Sequence, residues 1–543
     1  MLFFVQYPVS ILLATNQHSL VVYDLIIRGG EVIDGSRGSR KRADVAIRAD
    51  RITELGDLAD AQAKQEIDAR GSVVAPGFID VHNHSDGWLL KYPHLMPKLQ
   101  QGFTTEVIMA DGISYAPVNQ HTAAEWMYYL RSLNGLQMTD YDGWQSLPDY
   151  LAKLDGQTAQ NVAFHVPYAN VRTLACGFDR RPVDDFEMRQ IQAEIQLGME
   201  SGAVGLSTGL DYISECFSTT SELAEACRTL RDYQGLYVTH IRYKKQLLPA
   251  LREAVEICQQ AEIPLHVSHL KWQPPYAVDE VLRFFDWISS QVDFSYDVYP
   301  YQPGSTMLNY LLPYEVWEDG PLAVTAKLQQ ADIRARFAQG LASYRLDMHH
   351  IRIAWLPSRA NAPHIGKTLA EYVAQTGLAA ADAIFNLLVE EGLAVLCVFD
   401  EGDDRLVHPF LQHERCMIGS DGIFFPDGQV HPRMYGTAGR MLGPLVRNDQ
   451  LFSLPDAVYK LSTFPAQRFG LQDRGFIREG AFADLVIFNA DEVSDQATYD
   501  HPDQPAVGIS HVLVNGAVVL EHGNPRTGPN NALPGRVLKY TQP

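Results

Sequence analysis

Eight short apolar runs alternating with helical patterns constrain this chain more than any other feature. They are Val73-Val-Ala-Pro-Gly-Phe-Ile-Asp-Val-His-Asn-His84, Thr104-Thr-Glu-Val-Ile-Met-Ala110, Asn161-Val-Ala-Phe-His-Val166, Ala203-Val-Gly-Leu-Ser207, Gly235-Leu-Tyr-Val-Thr239, Ile263-Pro-Leu-His-Val-Ser268, Val292-Asp-Phe-Ser-Tyr-Asp-Val298 and Cys416-Met-Ile-Gly-Ser420. A mostly apolar run of this length suits a parallel strand covered on both faces. Between them lie amphipathic stretches such as Leu248-Pro-Ala-Leu-Arg-Glu-Ala-Val-Glu-Ile-Cys-Gln-Gln-Ala261. Eight strands alternating with helices predict an α/β fold, a closed (β/α)8 barrel over residues 73–470. Residues 307–410 are too many for one crossover and hold helical patterns at 368–375 and 380–391, so they read as a crossover helix plus an inserted subdomain.

The ends of the chain have a different texture. Tyr23-Asp-Leu-Ile-Ile-Arg-Gly-Gly-Glu-Val-Ile-Asp34 and Asp44-Val-Ala-Ile-Arg-Ala-Asp-Arg-Ile52 alternate with period two, as do Ala483-Asp-Leu-Val-Ile-Phe488 and Ile509-Ser-His-Val-Leu-Val-Asn-Gly-Ala-Val-Val-Leu520. One small β-sandwich domain built from residues 23–72 and 471–543 is expected. Residues 1–22 are apolar at first but are interrupted by Pro8, lack a basic leader and are too short to span a membrane. They read as a poorly ordered extension.

With 46% apolar residues among 543, the chain can bury a large core. Its net charge of −21 argues against nucleic acid and would repel an anionic substrate unless the pocket supplies its own Lys or Arg. The six cysteines show no close pairing and read as reduced, buried thiols of a cytoplasmic protein. Neither a membrane partner nor an oligomeric state follows from the sequence.

Candidate metal ligands sit at the ends of these runs. His82 and His84 end the first, Asp111 the second, His240 the fifth, His269 the sixth and Asp421 the last. Imidazoles and carboxylates are what a catalytic divalent metal requires, and strand ends are where parallel barrels place their chemistry. An H-x-H triplet alone is weak, since about 0.6 would arise by chance at this histidine content. In extended chain, though, alternate residues point the same way, so both rings can reach one ion. His266 precedes His269 by three residues and is expected to face the other way. His165, His431 and the His349-His350 pair lie outside the expected site.

These residues belong to longer motifs: Ala75-Pro-Gly-Phe-Ile-Asp-Val-His-Asn-His-Ser-Asp86, Gly205-Leu-Ser-Thr-Gly-Leu-Asp-Tyr212, Thr239-His-Ile-Arg242, Ser268-His-Leu-Lys271, Asp297-Val-Tyr-Pro-Tyr301, Ile418-Gly-Ser-Asp-Gly422, His431-Pro-Arg-Met-Tyr-Gly436 and Asp473-Arg-Gly-Phe-Ile-Arg-Glu-Gly-Ala-Phe-Ala-Asp-Leu-Val486. In that order they resemble the amidohydrolase superfamily, and within it the N-acyl-D-amino-acid deacylases (D-aminoacylases), from about residue 23 to 538. The resemblance implies zinc-dependent hydrolysis of the amide bond of an N-acyl-D-amino acid, with one or two Zn²⁺ ions. It implies His82 and His84 as ligands of one metal, His240 and His269 of a second, and Asp421 as the catalytic carboxylate that also touches metal.

Two departures stand out. The deacylases carry a bridging cysteine in a Gly-Asn-Cys-Gly turn where this chain has Met109-Ala-Asp-Gly112, and the fourth strand offers no lysine as an alternative bridge. Asp111 is then either a harder bridging ligand or the sign of a single-metal site. Tyr243-Lys-Lys245 stands where the family has a Gly-Glu-Gly turn. For the substrate's α-carboxylate, Lys271 and Arg433 are the expected cations, with Tyr301 and Ser305 as hydrogen-bond donors. Competing readings are another amidohydrolase (a dipeptidase, cyclic-amide hydrolase or esterase) and a barrel that has lost its chemistry and serves as a scaffold.

Overall fold

The computed structural model describes residues 22–343, 347–400 and 402–541, so the extension expected over 1–22 lies outside the described residues except Val22, which opens the first strand. Strand β1 (Val22–Val32) pairs antiparallel with β2 (Lys41–Arg48), and β2 with β3 (Arg51–Gly56). The other edge of β1 is shared: β4 (Gln62–Asp68) lies parallel to its first half and β5 (Val73–Pro76) to its end. Thus Val73–Pro76 belongs to this terminal sheet, and the run read from the sequence as one barrel strand divides at Gly77. A Cβ at Gly77 would lie 2.2 Å from Thr104 Oγ1, so only glycine lets the chain pass between the two units.

Beyond Gly77 the parallel strands follow in chain order: β6 (Phe78–Asp80), β7 (Phe103–Ile108), β8 (Asn161–Phe164) continued by β9 (Val166–Pro167), β10 (Gly205–Gly209), β11 (Leu236–His240), β12 (Leu265–Val267) and β13 (Phe294–Val298). An antiparallel sheet of β14 (Gly304–Met307), β15 (Ile351–Trp355) and β16 (Leu396–Phe399) interrupts the series, with helices Leu369–Thr376 and Ala380–Glu390 beside it. It starts a few residues before the expected insert boundary at 307. Strand β17 (Cys416–Ile418) then pairs parallel with β13. Asp421 N donates to His82 O at 2.7 Å and His84 N to Gly422 O at 3.1 Å, tying the end of the last strand to that of the first.

Strands β18 (Leu485–Phe488), β19 (Ile509–Val514), β20 (Ala517–Glu521) and β21 (Asn524–Pro525) return to the terminal sheet, β18 pairing antiparallel with β5. Strands from both ends of the chain share this sheet. It is one hydrogen-bonded sheet of nine strands rather than two, because β5 links the N-terminal and C-terminal strands through continuous ladders.

The helices form for ordinary reasons. In Leu247–Ala261 the buried side chains Leu247, Ala250, Leu251, Ala254, Val255, Cys258 and Ala261 recur at helical spacing on one face. In Asp185–Ser201, Asp184 and Glu187 form a reciprocal cap and Gly202 ends the helix at φ 106. Within β11, Leu236 and Val238 share a face with His240. The two aliphatic residues join an apolar cluster with Ile79, Val107, Val204, Met417, Phe469 and Leu471, which leaves the histidine at the C-terminal end of a packed interior.

Candidate metal centre

Each expected ligand ends a strand or follows one by a few residues. Asp111, His269 and Asp421 do so with φ of 55°, 39° and 50°. This left-handed backbone costs a non-glycine residue about 1–3 kcal/mol and survives where surrounding structure enforces it. Here it turns three side chains inward together. All six candidate ligands are at least nine-tenths buried.

The distances define two overlapping triads, His82/His84/Asp421 and His82/Asp111/His269. Asp421 Oδ1 lies 3.2 Å from His84 Nε2 and 3.8 Å from His82 Nε2. Asp111 faces both groups: Oδ1 is 3.5 Å from His82 Nε2 and 3.6 Å from His269 Nε2, and Oδ2 is 3.8 Å from His84 Nε2. His240 joins neither triad, but its Nδ1 lies 3.0 Å from His269 Nε2.

His82 Nε2, Asp111 Oδ1 and His240 Nε2 are buried without a hydrogen-bond partner among the described residues. Orphaned polar atoms converging at such spacing are costly unless a partner satisfies them, and the imidazole–carboxylate set suits Zn²⁺. The donor set therefore fits a divalent metal.

The electrostatics agree. Burial disfavours charge on every group here. Nevertheless His82 and His269 hold the Asp111 carboxyl well below the usual carboxylate range, and Arg433 and His84 do the same for Asp421. Against its own burial, His82 is raised to about 10 by Asp111, Asp297 and Asp421. A metal ion entering at neutral pH must displace that proton. We predict that zinc uptake by metal-free protein releases protons, and that affinity climbs as pH rises toward about 10. Calorimetry in buffers of different ionisation enthalpy measures this, and uptake without proton release would contradict it.

The expected substrate anchors divide. Arg433 is fully buried, and its NH1 lies 2.8 Å from Asp421 Oδ2 while its NH2 donates to Ser305 O at 3.1 Å. His431 sets this arrangement: its Nδ1 accepts from Arg433 N and its Nε2 bonds Pro303 O. Lys271 Nζ donates to Tyr299 OH at 3.0 Å and Gln302 O at 2.5 Å. Lys271 and Arg433 both lie against the Tyr299 ring, 5.1 and 4.5 Å from its centroid, and Arg433 is the one beside Asp421. Tyr301 and Ser305 are not brought into this group. The Tyr301 hydroxyl faces Asp495 at 3.3 Å, and Ser305 Oγ donates to Cys397 O at 2.8 Å.

Sequence reasoning missed the supporting residues. Asp297 accepts from His269 N at 2.9 Å and lies 2.9 Å from His266 Nε2, which gives His266 the structural role expected of it. Asn134 Oδ1 lies 3.2 Å from His84 Nδ1. Asp211, held by Tyr310 and Tyr314, sits 3.6 Å from His240 Nε2. Lys98 is buried between Asp80 and Ser420. Asp80 had a signal, since it precedes His82 by two residues in extended chain. The lone Asn134 had none.

Comparison with known proteins agrees with this geometry. The profile of the amidohydrolase family matches residues 65–338 and 411–520. A D-aminoacylase of Alcaligenes xylosoxydans xylosoxydans is 34% identical over 96% of this chain and 98% of its own, and an N-acyl-D-glutamate deacylase of the same organism is 34% identical over 95% and 96%. The crystal structure of an N-acyl-D-glutamate deacylase from Bordetella bronchiseptica, complexed with zinc and a phosphonate mimic of the reaction's tetrahedral intermediate, superposes with a TM-score of 0.81. It shares 32% identity and covers 96% of this chain and 100% of its own. A D-aminoacylase structure with a binuclear metal centre superposes at 0.78, with 32% identity over 95% of this chain and 100% of that one. The chain belongs to the amidohydrolase family.

Proposed function

We propose that the protein is a zinc-dependent deacylase of N-acyl-D-amino acids, releasing a carboxylate and a free D-amino acid. The observation that carries the reading is the convergence of His82, His84, Asp111, His240, His269 and Asp421 at the strand ends, in a chain about one-third identical to such deacylases along nearly its whole length. The eight parallel strands are read as one closed barrel, and residues 22–76 with the β18–β21 strands as a separate domain that the chain leaves at Gly77. Six buried free cysteines fit a cytoplasmic location. Among the described residues no single helix is long and apolar enough to cross a membrane.

In this reading His82 and His84 hold one metal, His240 and His269 the other, and Asp111 offers one oxygen to each side. Zinc, when bound, polarises an amide carbonyl and lowers the pKa of water to about 7. Asp421 takes the proton from the attacking water at Oδ1, the oxygen facing His84, while Arg433 fixes Oδ2. The same oxygen then returns the proton to the departing nitrogen. Lys271 anchors the α-carboxylate beside Tyr299. Arg433 is assigned to Asp421 rather than to substrate.

That assignment makes a prediction. Arg433→Met lowers kcat by roughly 10–100-fold, the usual effect of losing a partner that orients a metal-site residue, with little change in KM. A variant altered only in KM would return Arg433 to the substrate. Asp111→Ala is expected to bind at most one zinc per barrel where the wild type binds two, read by metal analysis. A wild type that holds one ion at saturation would end the bridging role.

The function itself is tested with a panel of N-acyl-D-amino acids, N-acyl-L-amino acids, hydantoins and dihydropyrimidines, with and without chelator. Turnover of the D-series that chelator abolishes and Zn²⁺ restores is the expected result. Turnover confined to cyclic amides would overturn it.

A further inference from the structure

The β19–β20 hairpin carries a cluster that the barrel chemistry does not use. His511 pairs across the ladder with Glu521, so both side chains leave the same face of the sheet. His522 follows with φ 46, and its N–H donates to Ser510 O at 2.6 Å. Its ring stands 4.9 Å from that of His511, centroid to centroid. One ligand atom from each of the three residues lies within 4.8 Å of the other two.

The hydrogen bonds around Ser510 match one tautomer of His511. With Ser510 Oγ donating to Ile487 O at 3.2 Å, the same oxygen accepts from His511 Nδ1 at 3.0 Å. In that neutral ring the hydrogen is on Nδ1 and Nε2 is an acceptor. That atom faces Glu521 Oε1 at 3.9 Å, while Glu521 Oε2 is taken by Arg526 Nε at 2.7 Å. Two acceptors are thus aimed at one another with no hydrogen between them. Metal-binding histidines commonly have their other ring nitrogen held by a hydrogen-bond acceptor, the place Ser510 Oγ takes here.

We propose that His511, Glu521 and His522 form a separate site for one borderline divalent transition cation of the Zn²⁺ class, on the terminal sheet and apart from the barrel centre. Two imidazoles and one carboxylate oxygen match the ligand preference of such ions, and water completes the coordination. All three ligands come from one hairpin, so the ion staples β20 to β19 near the sheet's edge.

The test uses the full-length protein with its barrel site already loaded with zinc. Excess Zn²⁺ is added, unbound metal is removed by dialysis, and zinc per chain is counted for wild type, His522→Ala and Ser510→Ala. His522 is exposed, so its replacement leaves folding intact. The wild type is expected to hold one zinc more than His522→Ala, with turnover unchanged. Ser510→Ala is expected to weaken that extra equivalent by about 10–100-fold. Equal zinc content in wild type and His522→Ala would overturn the proposal, as it would if His511 were simply protonated and paired with Glu521.

Discussion

Asp421→Asn is expected to lower kcat by roughly 10²–10⁴, the range for losing a positioned general acid–base group. Asparagine keeps the shape of the side chain, but Arg433 only donates, so the amide turns its oxygen to Arg433 and its NH2 toward His84. What disappears is the ability to take a proton at Oδ1 and return it to the leaving nitrogen. Zinc content is counted alongside turnover, which separates lost chemistry from lost metal. Steady-state kinetics on an N-acyl-D-amino acid, with metal analysis of the same preparation, makes the measurement. Near-native turnover would show that another group moves the proton.

Lys98→Met is expected to destabilise the protein by about 3–5 kcal/mol, the cost of leaving a buried charge without its partner. Lys98, Asp80, Glu106 and Ser420 are all fully buried. The Lys98 ammonium bonds Asp80 and Ser420 and stands 3.8 Å from Glu106 Oε2. Burial raises the Glu106 carboxyl in spite of Lys98, and removing the lysine takes away the one cation that faces both carboxyl groups. Asp80 also accepts from Ser420 N at 2.7 Å, so the same cluster joins the first strand to the turn that presents Asp421. Urea denaturation compares wild type, Lys98→Met and Lys98→Met/Asp80→Asn. The double variant should recover much of the loss, since it removes both charges. A single variant as stable as wild type would show that the pair contributes nothing.

The parallel strands and the candidate metal ligands were legible because both leave local marks. A parallel strand buried on both faces is an apolar run, and a histidine or aspartate just past its end stands out against it. Helix limits in the insert were legible for the same local reason, the helices falling at Leu369–Thr376 and Ala380–Glu390. What escaped depends on contacts distant in sequence. The run from Val73 to His84 has no break in polarity at Gly77, yet strand pairing with β1 and β18 assigns its first four residues to another sheet. Arg433 reads from its motif as a substrate clamp, and only the fold brings it to Asp421. In Asp297-Val-Tyr-Pro-Tyr301 either tyrosine could have faced the site. Alternation fails once β13 has ended and Pro300 redirects the chain, so Tyr299 meets both cations while Tyr301 turns to Asp495. Asp211 was visible inside a quoted motif, but nothing local pointed it at His240.

The central claim is that six residues from four strand ends and the turn after β7 make one metal centre. Anomalous diffraction at the zinc absorption edge, from crystals of zinc-loaded protein, tests it most directly. The account predicts anomalous density at the C-terminal ends of the parallel strands, within coordination distance of His240 and His269, with His82, His84 and Asp421 around the same density or a neighbouring peak and Asp111 between them. Zinc bound elsewhere, with these six side chains making no contact to it, would contradict the account.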